Sequence, residues 1–269
     1  MREWRSATVD RIAGLAPQRV LEIGVGAGLM LAQLAPQCTE YWGTDLSASI
    51  INRLQAAIAS QSWADRVGLL VQPAEMADEL PQSYFDVVVL NSVIQYFPSA
   101  GYLLDVLTTV TRLLAPGGAV FIGDVRNLTL LRAFTTSVVC ADIAGAEDTA
   151  ATARERVRRE MLAERELLMA PEFFTALTQH VAGIAAVDLR LKQMKAVNEL
   201  SSYRYDVLLR KAPALVRSLA DVPTQPWQRY GSLAAVGQYL QAKCPTQLRI
   251  SGIPHGGIWP DVTMSHALA

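Results

Sequence analysis

A short apolar run that opens into a glycine-rich loop constrains this chain of 269 residues more than any other segment. The run begins at Val20 and reads VLEI, and the loop that follows contains Gly24, Gly26 and Gly28. Glycine permits sharp turns and removes the Cβ atoms that would keep a nucleotide-like ligand away from the main chain. The pattern predicts a strand followed by a cofactor-binding turn, although an ordinary tight turn can carry the same glycines.

An acidic residue beyond the loop makes this interpretation more specific. Residues 28–35 have the apolar spacing of a helix, and a second short strand follows and ends on Asp45. In a doubly wound fold, an acid at this place, about 20 residues beyond the loop, binds the two hydroxyls of a ribose. The combination therefore indicates a cofactor with a nucleoside part.

Strands and helices alternate from Arg19 to about Asp124, which predicts a parallel sheet with helices on both faces. The predicted strands are 19–23, 40–44, 67–72, 85–90 and 118–123, and the predicted helices lie near 28–35, 47–61 and 100–114. Two later strands, 187–192 and 203–210, are too close in sequence for a helical crossover and suit an antiparallel hairpin. A doubly wound, mostly parallel seven-stranded sheet with this ending is typical of class I methyltransferases, which have a Rossmann-like fold.

The remaining segments predict the domain organisation. A main domain over residues 1–211 would contain a helical cap insert at about 127–182, and residues 212–269 would form a small C-terminal subdomain. Within the insert, Val157, Met161, Leu162 and Leu168 are spaced to face inward. Its alternating charges, such as Glu155 with Arg159, indicate a solvated helix, and a mobile cap over the cofactor cleft is the alternative.

Composition excludes several classes of function. The formal net charge is −1, so an attraction to nucleic acid is not expected. The three cysteines are isolated, which predicts neither a zinc site nor secretion, and we expect no metal ligands and a cytoplasmic location. The apolar runs are too short to span a membrane, and the charged N-terminus lacks the pattern of a signal peptide.

Several longer segments resemble one known family, the methyltransferase domains embedded in nonribosomal peptide synthetases and related polyketide synthases. The similarity is carried by LEIGVGAGL at 21–29, GTDLS at 43–47, VVLNSVIQYFPS at 88–99, LLAPGGAVFIGDVRN at 113–127, ELLMAPEFF at 166–174, NELSSYRYD at 198–206 and RISGIP at 249–254.

The resemblance implies an activity, a cofactor and partners. A methyl group would pass from S-adenosylmethionine, which becomes S-adenosylhomocysteine, to an oxygen or nitrogen of an acyl or aminoacyl intermediate. A carrier protein would hold that intermediate on its phosphopantetheine arm, next to adjacent synthase domains. The residues implied to bind the cofactor are Glu22, Gly24, Gly26, Gly28, Asp45, Leu46, Ala74, Glu75, Asn91, Ser92 and Tyr96.

An alcohol or a protonated amine must lose a proton when it is methylated, so a base within hydrogen-bond reach is expected. Glu199, in the loop before the last strand, is the first candidate, and a salt bridge to Arg126 or Arg204 is its structural alternative. Asp124, at the end of the fifth strand, is the second candidate, and an ion pair with Arg126 is its alternative.

Two segments depart from the family pattern. The terminal loop at 254–257 reads PHGG where relatives have PNAR or similar, and the other departure concerns a candidate base. Oxygen-methylating relatives would have a histidine in a segment like AFHxSV, but this chain reads AFTTSV and places Thr135 there. Threonine cannot accept a proton at neutral pH, and the three histidines lie elsewhere in the chain. An inactive pseudo-methyltransferase with a structural role is therefore the alternative function. A nicotinamide-dependent oxidoreductase would need GxGxxG, whereas the loop here reads GVGAG.

Overall fold

The computed structural model describes residues 2–142, 149–215, 219 and 221–269, with the backbone alone at 77–79. Seven strands form one sheet in the order β3-β2-β1-β4-β5-β7-β6. Their bounds are β1 Arg19–Ile23, β2 Glu40–Asp45, β3 Val67–Val71, β4 Phe85–Asn91, β5 Leu114–Arg126, β6 Ile184–Leu191 and β7 Arg204–Lys211.

Strand directions confirm the predicted fold class. Strands β1 to β5 pair in parallel, and β7 lies between β5 and β6 and is antiparallel to both. The main departure is at the start of β5, which was predicted to begin at residue 118 but begins at Leu114 and runs through Pro116 and Gly117. Leu114 pairs with Phe85, and a register shift before Val87 accommodates the extra residues. At its start, β5 is therefore longer than the predicted strand at 118–123.

Ten helices are described: α1 Arg2–Ala13, α2 Leu31–Leu34, α3 Ala48–Ile58, α4 Ala100–Leu113, α5 Leu131–Asp142, α6 Ala150–Ala163, α7 Pro171–His180, α8 Glu199–Ser202, α9 Leu233–Lys243 and α10 Trp259–Ala267. Serine side chains fix two of the starts: Ser47 accepts a hydrogen bond from Ile50 N, and Ser99 accepts one from Tyr102 N. The helix predicted at 28–35 is shorter than expected, because Gly28 has a left-handed φ of +73°.

Core side chains alternate between the two faces of the sheet. On β4, Val88 and Leu90 belong to one buried cluster, whereas Val87 and Val89 belong to the other. This alternation follows from the two-residue period of a strand, and it lets helices cover both faces. The first cluster includes residues of α4 and α7, and the second includes residues of α1, α2 and α3.

The segment predicted as a cap insert is helical where it is described, as α5, α6 and α7. Val157 is fully buried as expected, but Leu162 is 77% exposed, so its predicted inward position is wrong. Glu155 pairs with Arg158 at 3.8 Å, not with Arg159. Part of the insert, residues 143–148, lies outside the described chain.

Residues after Lys211 contain α9, α10 and a two-stranded parallel sheet formed by β8 Thr224–Pro226 and β9 Arg249–Ser251. The last helix packs against α5. Arg132 Nη2 donates a hydrogen bond to Leu268 O at 3.1 Å, and the Tyr203 hydroxyl donates one to Asp261. The boundary at 211/212 stays a prediction. Among the described helices, none has both the length and the apolar character needed to cross a membrane.

Candidate active site

Backbone conformation at the glycine loop explains its composition. Gly24, Gly26 and Gly28 all have positive φ angles, of +78°, +50° and +73°. A Cβ atom at Gly24 would overlap the Val93 side chain, and one at Gly28 would lie 2.7 Å from Leu54 Cδ2. The loop is held to β2 by two hydrogen bonds, from Gly24 N and Val25 N to the carbonyl oxygen of Thr44.

Asp45 lies at the end of β2 and faces this loop. Its Oδ2 accepts a hydrogen bond from Gly26 N at 3.0 Å, and its Oδ1 accepts one from Ser47 N at 2.9 Å. A carboxylate has about four lone-pair positions, so two acceptor positions remain after these bonds are made. The same side chain can shape the loop and still accept hydrogen bonds from two hydroxyl groups.

An open cleft with a volume of about 510 Å³ lies at the carboxyl ends of β1, β2 and β4. We call it the glycine-loop cleft. Its lining residues are Ile23, Gly24, Gly26, Asp45, Leu46, Gln72, Ala74, Glu75, Ser92, Val93, Tyr96, Phe97, Pro98 and Tyr102. Ligands of open α/β sheets bind at this edge, so the position agrees with the topology.

The cleft brings together eight of the eleven cofactor-binding residues predicted from the sequence. These are Gly24, Gly26, Asp45, Leu46, Ala74, Glu75, Ser92 and Tyr96. The sequence prediction missed Ile23, Gln72, Val93, Pro98 and Tyr102, whereas Phe97 and Tyr96 were both expected from the sequence as possible walls of the cofactor site. Val93, Phe97 and Pro98 belong to the segment VVLNSVIQYFPS, so that block carried a signal for them.

Glu22, Gly28 and Asn91 do not line the glycine-loop cleft. Glu22 is buried beneath it, with 4% of its surface exposed, and accepts a hydrogen bond from the Tyr41 hydroxyl at 2.6 Å. Burial is the main cause that raises the pKa of Glu22 to about 8; the hydrogen bond from Tyr41 opposes this effect, and the nearby Asp45 adds a smaller rise that is included in the value. Asn91 Nδ2 lies 3.4 Å from Ser92 Oγ, so Asn91 supports a residue of the cleft wall.

Aromatic side chains form one wall of the glycine-loop cleft. Phe97 and Tyr102 meet edge to face with ring centres 4.8 Å apart. The Tyr102 hydroxyl donates a hydrogen bond to Glu75. Partial burial and this carboxylate raise the pKa of Tyr102 to about 12, so the hydroxyl is a donor at neutral pH. Two further rim residues, Leu46 and Tyr96, present large exposed apolar surfaces.

Asp124 is enclosed by donors. Its carboxylate is 1% exposed and accepts hydrogen bonds from Trp4 Nε1 at 2.7 Å and Ser92 Oγ at 2.5 Å. It also forms an ion pair with Lys192 Nζ at 3.0 Å. An ion pair with Arg126 was the structural alternative predicted for Asp124, and this prediction is wrong. The partner of Asp124 is Lys192, which follows β6 and lies far away in the sequence.

Glu199 begins α8 and lies in a different environment. Its Oε1 pairs with Arg204 Nη2 at 2.6 Å, while 44% of its side chain stays exposed. Of the two salt bridges considered, the structure contains the one to Arg204. Arg126 is occupied by Glu164 at 2.7 Å and Glu166 at 2.8 Å.

A small cavity of about 10 Å³ lies beside Glu199, and we call it the Glu199 cavity. It is lined by Arg126, Asn127, Leu130, Leu131, Phe134, Leu168, Glu199, Tyr203 and Arg204. The Phe134 and Tyr203 rings meet there at a centre distance of 5.0 Å. An exposed carboxylate, aromatic faces and arginines thus lie together at the ends of β5 and β7.

Thr135 lines neither the glycine-loop cleft nor the Glu199 cavity. Its hydroxyl donates a hydrogen bond to Leu131 O at 2.9 Å, one turn earlier in α5. The side chain borders a cavity between α5 and α6 that also contains Asp142 and Arg156. The structure therefore does not bring Thr135 together with Glu199 or Asp124. Within the described part of the chain, no cluster of three or more metal-ligating side chains occurs.

Comparison with known proteins agrees with this geometry. Residues 21–120 match the family model of a methyltransferase domain. The chain is 48% identical, over 85% of its length, to a probable non-canonical nonribosomal peptide synthetase, CymA, of Salinispora arenicola, and 41% identical over 78% to the chondramide synthase of Chondromyces crocatus. The chain spans only 3% and 5% of these relatives.

A solved structure gives the same fold. The N-methyltransferase NodS from Bradyrhizobium japonicum, crystallised with S-adenosyl-L-homocysteine, superposes with a TM-score of 0.53. The alignment covers 78% of this chain and 88% of NodS at 17% sequence identity. The matching family model and the fold place the chain among the class I, S-adenosylmethionine-dependent methyltransferase domains. More specifically, the chain belongs to the methyltransferase domains of the type embedded in nonribosomal peptide synthetases.

Proposed function

We propose that the chain binds S-adenosylmethionine in the glycine-loop cleft and methylates an oxygen or nitrogen of a carrier-tethered acyl or aminoacyl intermediate. The observation that carries the proposal is the pairing of Asp45 with Gly26, which leaves two acceptor positions of the carboxylate beside the loop. When bound, the cofactor supplies a methyl group on a positively charged sulfur.

The residues of the glycine-loop cleft fit such a molecule. Asp45 would accept hydrogen bonds from the ribose hydroxyls, and the loop without Cβ atoms would admit the methionine part. Ala74 and Glu75 lie on the side proposed for the adenine, and Tyr96 on the rim would limit access of water. Glu22 is buried beneath the loop and would not contact the cofactor. It would support the loop that surrounds the methionine part.

The contribution of the chain to the chemistry is positioning. Holding an acceptor in line, about 3 to 3.5 Å from the methyl carbon, converts a bimolecular step into an effectively unimolecular one. The new bond joins the acceptor atom to the methyl carbon, and the proton that the acceptor loses needs a base. We assign this role to Glu199, since its carboxylate is partly exposed beside a cavity. The crowded carboxylate of Asp124 is less suited to it.

The carrier-protein substrate and the neighbouring synthase domains are part of the proposal. They are supported by the relatives, which are large synthetases of which this chain matches a small part. The partner would be a carrier protein whose phosphopantetheine arm reaches the cleft, in a nonribosomal peptide or a mixed polyketide system. We place the protein in the cytoplasm, where such carriers would meet it.

A second candidate function is a catalytically inactive domain that serves as a scaffold. It is favoured by Thr135, whose hydroxyl is bonded within its own helix and cannot act as a base. Calorimetric titration with S-adenosylmethionine tests the first step, and the absence of binding would contradict the methyltransferase proposal. Binding without transfer to several loaded carriers, with hydroxy and amino acyl groups, would support the scaffold.

A further inference from the structure

Trp4, in the first turn of α1, and Ser92, in the wall of the glycine-loop cleft, donate hydrogen bonds to the same carboxylate, that of Asp124. We propose that Trp4 is a positioning residue of this cleft, which acts through Asp124 to hold Ser92 in place. The inference rests on the proposed cofactor site and adds a residue from a helix that the cleft itself does not contain. Trp4 donates a hydrogen bond from its indole N–H to Asp124, and Asp124 also accepts a hydrogen bond from the Ser92 hydroxyl.

Backbone geometry shows why Ser92 needs to be held. Ser92 directly follows β4, Asp124 lies two residues before the end of the neighbouring strand β5, and both have left-handed φ angles, +56° and +62°. Side chains other than glycine rarely adopt this conformation, and it persists only where the surroundings enforce it. Ser92 N donates to Gly123 O at 3.1 Å, and Ser92 Oγ donates to Asp124 at 2.5 Å. The strained backbone positions at Ser92 and Asp124 are therefore joined by two hydrogen bonds between their segments.

The hydrogen bond from the Trp4 indole belongs to a buried network, so its loss cannot be compensated by water. Lys192 is fully buried in its side chain and pairs with both Asp124, at 3.0 Å, and Asp206, at 2.8 Å. Asp206 also accepts a hydrogen bond from Asp124 N, and Thr8 of α1 accepts one from Lys192 Nζ. In such a water-excluded network, loss of one donor leaves the carboxylate under-bonded, so its remaining partners shift.

The same turn of α1 also contacts the segment that leads to Glu199. Glu3 accepts hydrogen bonds from Lys195 N and Ala196 N. This segment precedes Asn198, whose side chain caps α8 at Leu200 N and Ser201 N. Two adjacent residues of α1 thus bond to different parts of the proposed site: Trp4 to the carboxylate that bonds Ser92, and Glu3 to the segment that precedes the candidate base.

Trp4→Phe is the direct test, because it keeps an aromatic ring and removes the N–H donor, together with part of the volume of this buried side chain. Hydrogen exchange of the backbone around residues 91–93, measured without cofactor, should be several-fold faster in the variant. The affinity for S-adenosylhomocysteine, measured by calorimetry, should fall about three- to tenfold. Trp42→Phe is the matched control, since Trp42 Nε1 donates to the Glu40 carboxylate at 3.2 Å, and it should change neither quantity.

A double-mutant cycle separates positioning from a general loss of stability. Once Ser92 is replaced by alanine, Trp4→Phe should cost little further affinity, whereas effects through overall stability would add. Unchanged exchange at 91–93 in Trp4→Phe, or fully additive losses of affinity, would overturn the inference. If Trp4→Phe does not fold, Ser92→Ala provides the test, and its hydrogen exchange at 91–93 should be faster than in the unmodified protein. Unchanged exchange in Ser92→Ala would also contradict the inference.

Failure of the cofactor proposal can be distinguished from failure of this one. If the unmodified protein does not bind S-adenosylhomocysteine, the proposed function fails, but the exchange comparison still decides whether Trp4 holds Ser92. If the protein binds the molecule and Trp4→Phe binds it equally well, the positioning role alone fails.

Discussion

Asp45 Oδ2 accepts a hydrogen bond from Gly26 N at 3.0 Å, so the acid at the end of β2 directly holds the glycine loop that follows β1. The second oxygen of the same carboxylate holds Ser47 N, at the start of α3. One side chain therefore organises two of the turns at this edge of the sheet. The ribose contact proposed for Asp45 uses the lone pairs that these bonds leave.

Asp45→Asn should weaken S-adenosylhomocysteine binding by about tenfold or more, because hydrogen bonds to a charged group are worth about 1.5–3 kcal/mol. The amide would also place an N–H group opposite one of the backbone donors. Calorimetric titration measures the effect. Asp65→Asn, on an exposed turn away from the cleft, is the matched control and should bind normally. Equal affinities for all three proteins would remove Asp45 from the site.

Gly24→Ala should lower the free energy of unfolding by about 2–4 kcal/mol. The new Cβ atom would have to tolerate a φ of +78° and displace the Val93 side chain. Gly237→Ala is the control, because Gly237 lies inside α9 with no atom within 4 Å of the position of a Cβ. It should raise stability by about 0.5–1 kcal/mol. Urea unfolding of both variants checks the pair, and similar effects would contradict the account.

The pattern of strands, helices and glycines predicted the sheet and most of the glycine-loop cleft. This success has a physical reason: hydrophobic periodicity and the turn residues act locally, and parallel strands bring their carboxyl ends to one edge. Asp45 and Gly26 are 19 residues apart, within one strand-helix-strand unit. The cleft residues that were missed, such as Gln72 and Tyr102, lie in elements that carry no such loop signal.

Glu22 should make stability depend on pH. Its pKa is raised to about 8 in the folded protein, so the unfolded chain loses this proton first as the pH rises. The contribution of Glu22 to stability is therefore largest below the unfolded pKa of about 4.3 and declines up to about pH 8. In Glu22→Gln, which keeps an acceptor for the Tyr41 hydroxyl, this part of the decline should disappear. Chemical denaturation from pH 5 to 8 measures it, and identical slopes in the two proteins would contradict the prediction.

Ion-pair partners that lie far apart in the chain could not be predicted from the sequence. Arg126 was considered for both Asp124 and Glu199, yet it pairs with Glu164 and Glu166 of the segment after α6. Sequence spacing cannot decide among several acids and bases that tertiary folding brings to one edge. The burial of Asp124 with Lys192 depends on the packing of α1, β5 and the end of β6 together.

Glu199→Gln should lower the rate of methyl transfer by about 10²-fold or more, with little change in cofactor affinity, because it removes the proposed base. Loss of the salt bridge alone is tested by Arg204→Gln, which frees the Glu199 carboxylate and should keep most of the turnover. Single-turnover transfer measured at saturating cofactor compares the two. If both substitutions slow transfer equally, the pair is structural and Glu199 is not the base.

The most direct test of the central claim is intact-mass spectrometry of a carrier protein loaded with a hydroxyacyl or aminoacyl group, after incubation with this chain and S-adenosylmethionine. We predict a mass gain of one methylene unit on the loaded carrier, with S-adenosylhomocysteine formed in equal amount. The gain should be absent when the cofactor is left out, and at a cofactor concentration below saturation it should be smaller when the chain carries Asp45→Asn. No mass gain on any loaded carrier, from a chain that binds the cofactor, would contradict the account.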